Sequence, residues 1–230
     1  GSAVYQMAAI PAFTTLDPIN ASYHTLLDFV AGDYIEVKVA TDDTGTITVQ
    51  EGTTFVALKA NGDYGSLTYT AAANAQSSNN DLDAIGDEDL GGTVATNLRN
   101  VTFTAADGTM TPANTRPFLM LSTLVGTHTK DAEVAFSLYA DGSALDTTNA
   151  MIHTSLDPQE VTYGILKALT ADETASSRFQ SASGKITLKG GTSFTIFDTS
   201  FNGATYPSAY LSLAVNADSN NNTTGDIICF

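Results

Sequence analysis

The chain repeats itself, and that constrains its folding more than any motif it carries. Thr14-Thr15-Leu16-Asp17-Pro18 returns as Thr154-Ser155-Leu156-Asp157-Pro158, 140 residues on. Ser22-Tyr23 and Leu26 meet Thr162-Tyr163 and Leu166 at the same offset. Ile47-Thr48-Val49-Gln50-Glu51-Gly52-Thr53-Thr54-Phe55 returns as Ile186-Thr187-Leu188-Lys189-Gly190-Gly191-Thr192-Ser193-Phe194, now at 139. Asn61-Gly62 meets Asn202-Gly203 at 141, and Asn79-Asn80 meets Asn221-Asn222 at 142. Single-residue drift of this kind is what loop insertions and deletions leave behind. Residues 1–91 therefore match 140–230 around an unmatched middle, 92–139. A unit copied in this way must be one supersecondary piece that packs against its neighbours.

The pieces read as strands. Tyr34-Ile35-Glu36-Val37-Lys38-Val39 alternates strictly, with Ile35, Val37 and Val39 on one face. Asp42-Asp43-Thr44-Gly45 turns the chain into a short strand, Thr46–Val49, and Glu51-Gly52 turns it again into Thr53–Lys59, a β-meander. In the middle, Val101–Thr104, Phe118–Val125 and Glu133–Tyr139 are expected as strands, the second apolar enough to be central. Gly184–Lys189, Thr192–Phe197 and Tyr210–Val215 complete the second copy. Asp157-Pro158-Gln159-Glu160 has the form of a helix start, with Asp as cap and Pro at the first position, and Val161, Ile165, Leu166 and Leu169 follow at helical spacing. Val161, Tyr163 and Ile165 alternate equally well as a strand, which would continue the meander.

Composition supports the all-β reading. Hydrophobic residues make up 43% and charged residues only 15%, the polar remainder coming largely from Thr, Ser, Asn and Gly. β-Branched Thr suits a half-exposed strand, and Asn and Gly suit turns with positive φ. A chain of 230 residues buries ~70% or more of its unfolded surface and needs no metal or disulfide staple. Cys229 is the single cysteine, which rules out an intrachain disulfide and leaves an interchain bond at the C-terminus open. No apolar run is long enough to span a bilayer, and no signal peptide is expected.

The turn pattern carries a resemblance. An apolar strand, Ala31-Gly32-Asp33-Tyr34, an alternating strand, a Gly turn and then Gly52-Thr53-Thr54-Phe55-Val56 looks like the C-terminal half of a TNF/C1q-like jelly roll. In that family a Gly-Asp turn precedes the penultimate long strand and a Gly-Ser/Thr-x-Phe element opens the last. The second copy keeps Gly191-Thr192-Ser193-Phe194 but has Asp172-Glu173 in place of Gly32-Asp33. Phe118–Tyr139 with Asp141-Gly142-Ser143 resembles the family's front strands and hairpin, so residues 93–200 would form one complete module. The fold expected is an all-β jelly-roll or β-sandwich with an internal duplication. Its divisions are a partial unit at 1–65, a fuller jelly roll at 66–205, and terminal strands at 206–230 that pack on the first unit or on a neighbouring subunit. Modules of this kind are common on virion surfaces and phage fibres, and the resemblance implies association. A half-unit with open strand edges recruits strands, from the same chain or by donation between subunits.

Chemistry is sparse by comparison. Nine Lys and Arg against 25 Asp and Glu give a formal charge of −16, which disfavours phosphate backbones and anionic headgroups. Such a surface serves solubility in a salty medium, or meets a basic partner or cations. His24, His128 and His153 lack metal-ligand spacing, and Ser-hydrolase and phosphate-loop motifs are absent. The best cation candidate is the loop carrying Asp81, Asp83, Asp87 and Asp89. It begins like an EF-hand but has Ile85 at the fifth position and Gly92 at the twelfth, so only a looser calcium site from a β-loop is left. Otherwise no cofactor is expected. Tyr64, Tyr69, Tyr206 and Tyr210, near the repeated Asn-Gly turns, are the candidates for stacking a glycan, against a bland role in packing. Asn20-Ala21-Ser22 and Asn100-Val101-Thr102 match the glycosylation sequon, which Asn/Thr-rich chains also produce by chance.

The leading expectation is a non-enzymatic, homo-oligomeric virion-surface or capsid-associated protein, extracellular, with host-surface recognition as a further role. The partners expected are other copies of the chain, other virion proteins or a host glycan, with no nucleic acid and no membrane insertion. The rival readings are a filament or pilus subunit joined by donated strands, and a secreted carbohydrate-binding module.

Overall fold

The computed structural model describes residues 62–70, 82–130, 132–152 and 159–200. These form two antiparallel sheets and one short 3-10 turn, Glu88–Leu90. The strands are β1 Tyr64–Tyr69, β2 Asp83–Ala84, β3 Val94–Arg99, β4 Val101–Thr104, β5 Thr109–Pro112 and β6 Arg116–His128. They continue with β7 Ala132–Ala140, β8 Ser143–Ile152, β9 Gln159–Leu169, β10 Ala175–Ser181, β11 Ile186–Leu188 and β12 Ser193–Asp198.

One sheet runs β9-β6-β12-β1-β3, with β11 continuing the β12 side of β6. The other runs β4-β5-β10-β7-β8, with β2 also on β10. The chain changes sheet at β1/β2, β2/β3, β3/β4, β5/β6, β6/β7, β8/β9, β9/β10 and β10/β11, which is jelly-roll connectivity. Its turns have local causes. Asp141 (φ 47°) and Gly142 (φ 72°) close β7 onto β8 in a two-residue loop, because an Asp-Gly pair tolerates the positive φ that matches strand twist. Asn100 (φ 51°) is the single residue at which β3 of one sheet becomes β4 of the other. Its carboxamide donates to Asp63 Oδ1 at 2.9 Å, and Asn114 donates to Asp63 Oδ2 at 2.8 Å.

The core lies between the sheets. Alternation in β6 sends Phe118, Met120 and Leu124 inward, where they meet Leu67, Phe136, Leu138, Phe179, Phe194 and Ile196, all buried in one cluster. Each such side chain contributes about 1.5–3 kcal/mol relative to exposure. Two serines join this core from facing sheets: Ser122 Oγ lies 2.8 Å from Ser177 Oγ and 2.9 Å from the Ser193 carbonyl, so the buried hydroxyls are satisfied.

The expected strands of the middle and second copy appear as β4, β6, β7, β11 and β12, with β6 central. The ambiguous segment after Pro158 is a strand, β9, and not a helix. The module is not complete from residue 93: β1, drawn from the first copy, sits between β12 and β3. The meander at residues 34–59, the Gly32-Asp33 turn, Tyr210–Val215 and Cys229 lie outside the described residues, as do the structural counterparts that would test the duplication.

Candidate functional site

One end of the outward face of the β9-β6-β12-β1 sheet, around Leu166, is the surface with most to offer a partner. Because Phe118, Met120 and Ile196 point inward, Leu119, Leu121 and Phe197 point away from the core. Register places Leu119 level with Leu166 of β9 on one side and Phe197 of β12 on the other. Leu121 lies across Gly164: a Cβ added there would stand 2.6 Å from Leu121 Cδ2. Leu166 is 57% exposed, and Pro117 and Ala168 beside it are exposed as well. Further along, Ser66, Thr123, Val125 and Thr195 are buried and offer nothing to a partner; there the hydroxyls satisfy each other, Ser66 with Thr195 at 2.8 Å and Thr123 with Thr162 at 3.0 Å. The charged residues on this face stand at its margins, Glu160 at one end of β9 and Arg99 on β3. The result is a neutral, apolar surface on a chain that carries a large excess of acid. On the outer side of β9 no described strand pairs.

The acids singled out in the sequence do not come together. Asp83 lies in β2 opposite Phe179. Asp87 caps the Glu88–Leu90 turn, its carboxylate accepting from the Asp89 amide at 2.9 Å, and Asp89 is exposed. Asp81 lies outside the described residues. Among the described residues no group of three or more His, Cys, Asp or Glu could hold a metal. Part of Asp87's capacity is turned to its own backbone, which is a capping role.

The tyrosines divide. Tyr69 is 1% exposed in the core, where its hydroxyl accepts from the Gly86 amide at 3.2 Å. A ring packed on both sides has no face to give a sugar, so Tyr69 is corrected from a stacking candidate to a core residue. Tyr64, five positions away on β1, points to the opposite, outward face and is half-buried. Tyr206 and Tyr210 lie outside the described residues. Asn100 of the second sequon donates from its amide nitrogen to Asp63 at 2.9 Å, which gives that side chain a structural role at the turn between β3 and β4.

A serine–histidine pair that the sequence did not suggest lies at one end of the sandwich. His128 Nε2 is 2.7 Å from Ser181 Oγ, and Nδ1 accepts from the Lys130 amide at 3.0 Å. Nδ1 also lies against the Lys130 carbonyl. The Ser181 proton goes to the Ser183 carbonyl at 2.9 Å, which makes Nε2 the donor to Ser181. Both side chains are buried. With every polar atom spent on a neighbour and no access for a substrate, the pair ties β6 to β10. His24 and His153 lie outside the described residues. No described helix is long and apolar enough to cross a membrane.

No family model matches the chain, and no curated protein matches it. Among solved structures it is similar to an Eiger TNF from S. frugiperda, with 10% identity and a TM-score of 0.40 over 60% of this chain and 97% of that one. The fold assignment rests on the strand order given above and not on this likeness.

Proposed function

We propose that this chain is a non-enzymatic structural protein of a virion surface, of the decoration or fibre type, which assembles from copies of itself. The observation that carries the reading is the apolar end of the outward sheet face, centred on Leu166 at 57% exposure. Charge argues for a second copy as its occupant. Two chains of net charge −16 repel wherever their acids meet, and this face keeps its charges at the margin. Apolar contacts there bring copies together without confronting carboxylates. A jelly roll suits that work, since its faces are rigid and its loops are free to meet a host surface.

Two features support a reading without catalysis or sugar stacking: the buried, internally spent Ser181–His128 pair, and the loss of Tyr69 to the core. The test is sedimentation velocity of the full chain across micromolar concentrations, beside immunogold labelling of purified particles. Self-association is expected, weakened about tenfold or more by Leu166→Asp, which sets a charge at the centre of the contact. A monomer at every concentration, or particles that never label, would sink the proposal.

A further inference from the structure

A cleft opens on the flank of the sandwich opposite β9. There β3 and β4, each at the end of its sheet among the described strands, diverge from Asn100 and leave a gap beside the core. Register sets Val94 and Thr96 opposite Tyr69 and Leu67, and Phe103 opposite Met110, so all three face inward. Val94 and Phe103 pack against the buried cluster and form an apolar floor. The wall is the loop 86–92. Gly86 rests on the ring, since a Cβ there would stand 3.1 Å from Phe103 Cζ, and its φ of 92° suits glycine. The Asp87 amide donates to the Ala84 carbonyl at 3.1 Å and the Glu88 amide to the Ala105 carbonyl at 2.7 Å, which holds the backbone of both acidic residues beside the cleft that they line. The cavity measures about 290 Å³ and no basic residue lines it.

We propose that this cleft binds a primary ammonium group carried on a short apolar stem, the chemistry of a lysine side chain or a small alkylamine. Three features select it. Two carboxylates with no lining cation set the sign of the ligand's charge. Val94, Ala105 and the half-buried Phe103 receive methylene groups, and the ring adds attraction for a cation held over it. The volume lies at the lower end of ligand sites, room for one side chain and too little for a nucleotide or a sugar chain. The proposal is independent of self-assembly, because β3 and β9 stand at opposite ends of the same sheet among the described strands.

The test follows backbone amide resonances of the ¹⁵N-labelled full chain while butylammonium, butanol, butyrate or N-acetyl-lysine methylamide is added at constant ionic strength. The ammonium ligands are expected to shift the amides of Gly86, Gly91, Gly92 and Val94 saturably, and butanol and butyrate are not. The stronger of butylammonium and the blocked lysine assigns the source, a free amine or a protein partner. Asp87→Asn with Glu88→Gln keeps the capping acceptor and removes both charges. It should weaken binding about five- to tenfold with the melting temperature unchanged. Equal shifts with butanol, shifts that never saturate, or affinity unchanged in the double variant would each overturn the proposal.

Discussion

Tyr69 carries a hydroxyl into the core, and its environment makes a prediction that depends on pH. Burial raises its pKa above the ordinary phenol value of 10.0, and the nearby charge of Asp87 adds to this, while the hydrogen bond from Gly86 works in the opposite direction. The folded state therefore favours the neutral ring more than the unfolded chain does. By linkage, this contribution is intact below about pH 10, where both states keep the proton, and is lost as pH rises toward the raised folded value. Tyr69→Phe should cost about 1–2 kcal/mol at neutral pH, because the Gly86 amide loses its acceptor. The same variant should lose less stability than the parent between pH 9 and 11 (about one unit either side of the reference value). Urea unfolding midpoints across that range measure both effects, and parallel curves would refute the second. The role was legible in the sequence: Leu67 and Tyr69 alternate with Ser66 and Thr68, a period of two that puts the tyrosine with the leucine. Proximity to an Asn-Gly turn drew attention to its surface chemistry instead.

Strands with apolar alternation could be read from the sequence, and strands built from serine and glycine could not. β9 shows the ambiguity at its sharpest. The helical pattern through Val161, Ile165, Leu166 and Leu169 requires Leu166 inside, whereas the sheet turns Val161, Tyr163 and Ile165 to the core and leaves Leu166 out. An eleven-residue register with β6 outweighs one capping signal. β10, Ala-Ser-Ser-Arg-Phe-Gln-Ser, has little hydrophobic periodicity because Ser177 takes a core position and meets Ser122 across the sheets. β1 shows only a short alternation, Leu67 and Tyr69, because Gly65 takes the third core-facing position. That glycine marks a close approach. A Cβ there would stand 2.8 Å from Met110 Sδ and 2.9 Å from Val101 Cγ1, and the valine is stiff. Gly65→Ala is expected to destabilise the chain by about 1–3 kcal/mol through overpacking. Gly164→Ala, facing the mobile tip of Leu121 on the outer surface, should stay within about 1 kcal/mol of the parent, because Leu121 can rotate away. Chemical denaturation of the two variants side by side checks the contrast, and equal losses would contradict it.

At the scale of the molecule, alternation and turn residues gave the all-β class, and the resemblance of the turn pattern to TNF/C1q-like modules implied the jelly roll. Composition gave a net charge of −16 without saying where a partner could stand. The placement of charge supplies that, because it needs the strand register: one end of the outward face of β6, β9 and β12, around Leu119, Leu166 and Phe197, is apolar where the chain as a whole is acidic. Its consequence is a salt dependence of definite sign. Like-charged copies repel over a Debye length of about 10 Å at 0.1 M salt, which shrinks to about 3 Å at 1 M. Contacts between apolar side chains are not screened. If Leu119, Leu166 and Phe197 hold two copies together, added sodium chloride removes repulsion and leaves the attraction, so the apparent dissociation constant should fall steadily from low to high salt. An interface of ion pairs behaves in the opposite way, weakening as salt rises. Sedimentation equilibrium in a sodium chloride series separates the two, with monovalent salt chosen so that no bridging ion contributes. Leu166→Asp should weaken the association about tenfold or more at each salt concentration, and a parent that dissociates on adding salt would move the contact away from this face.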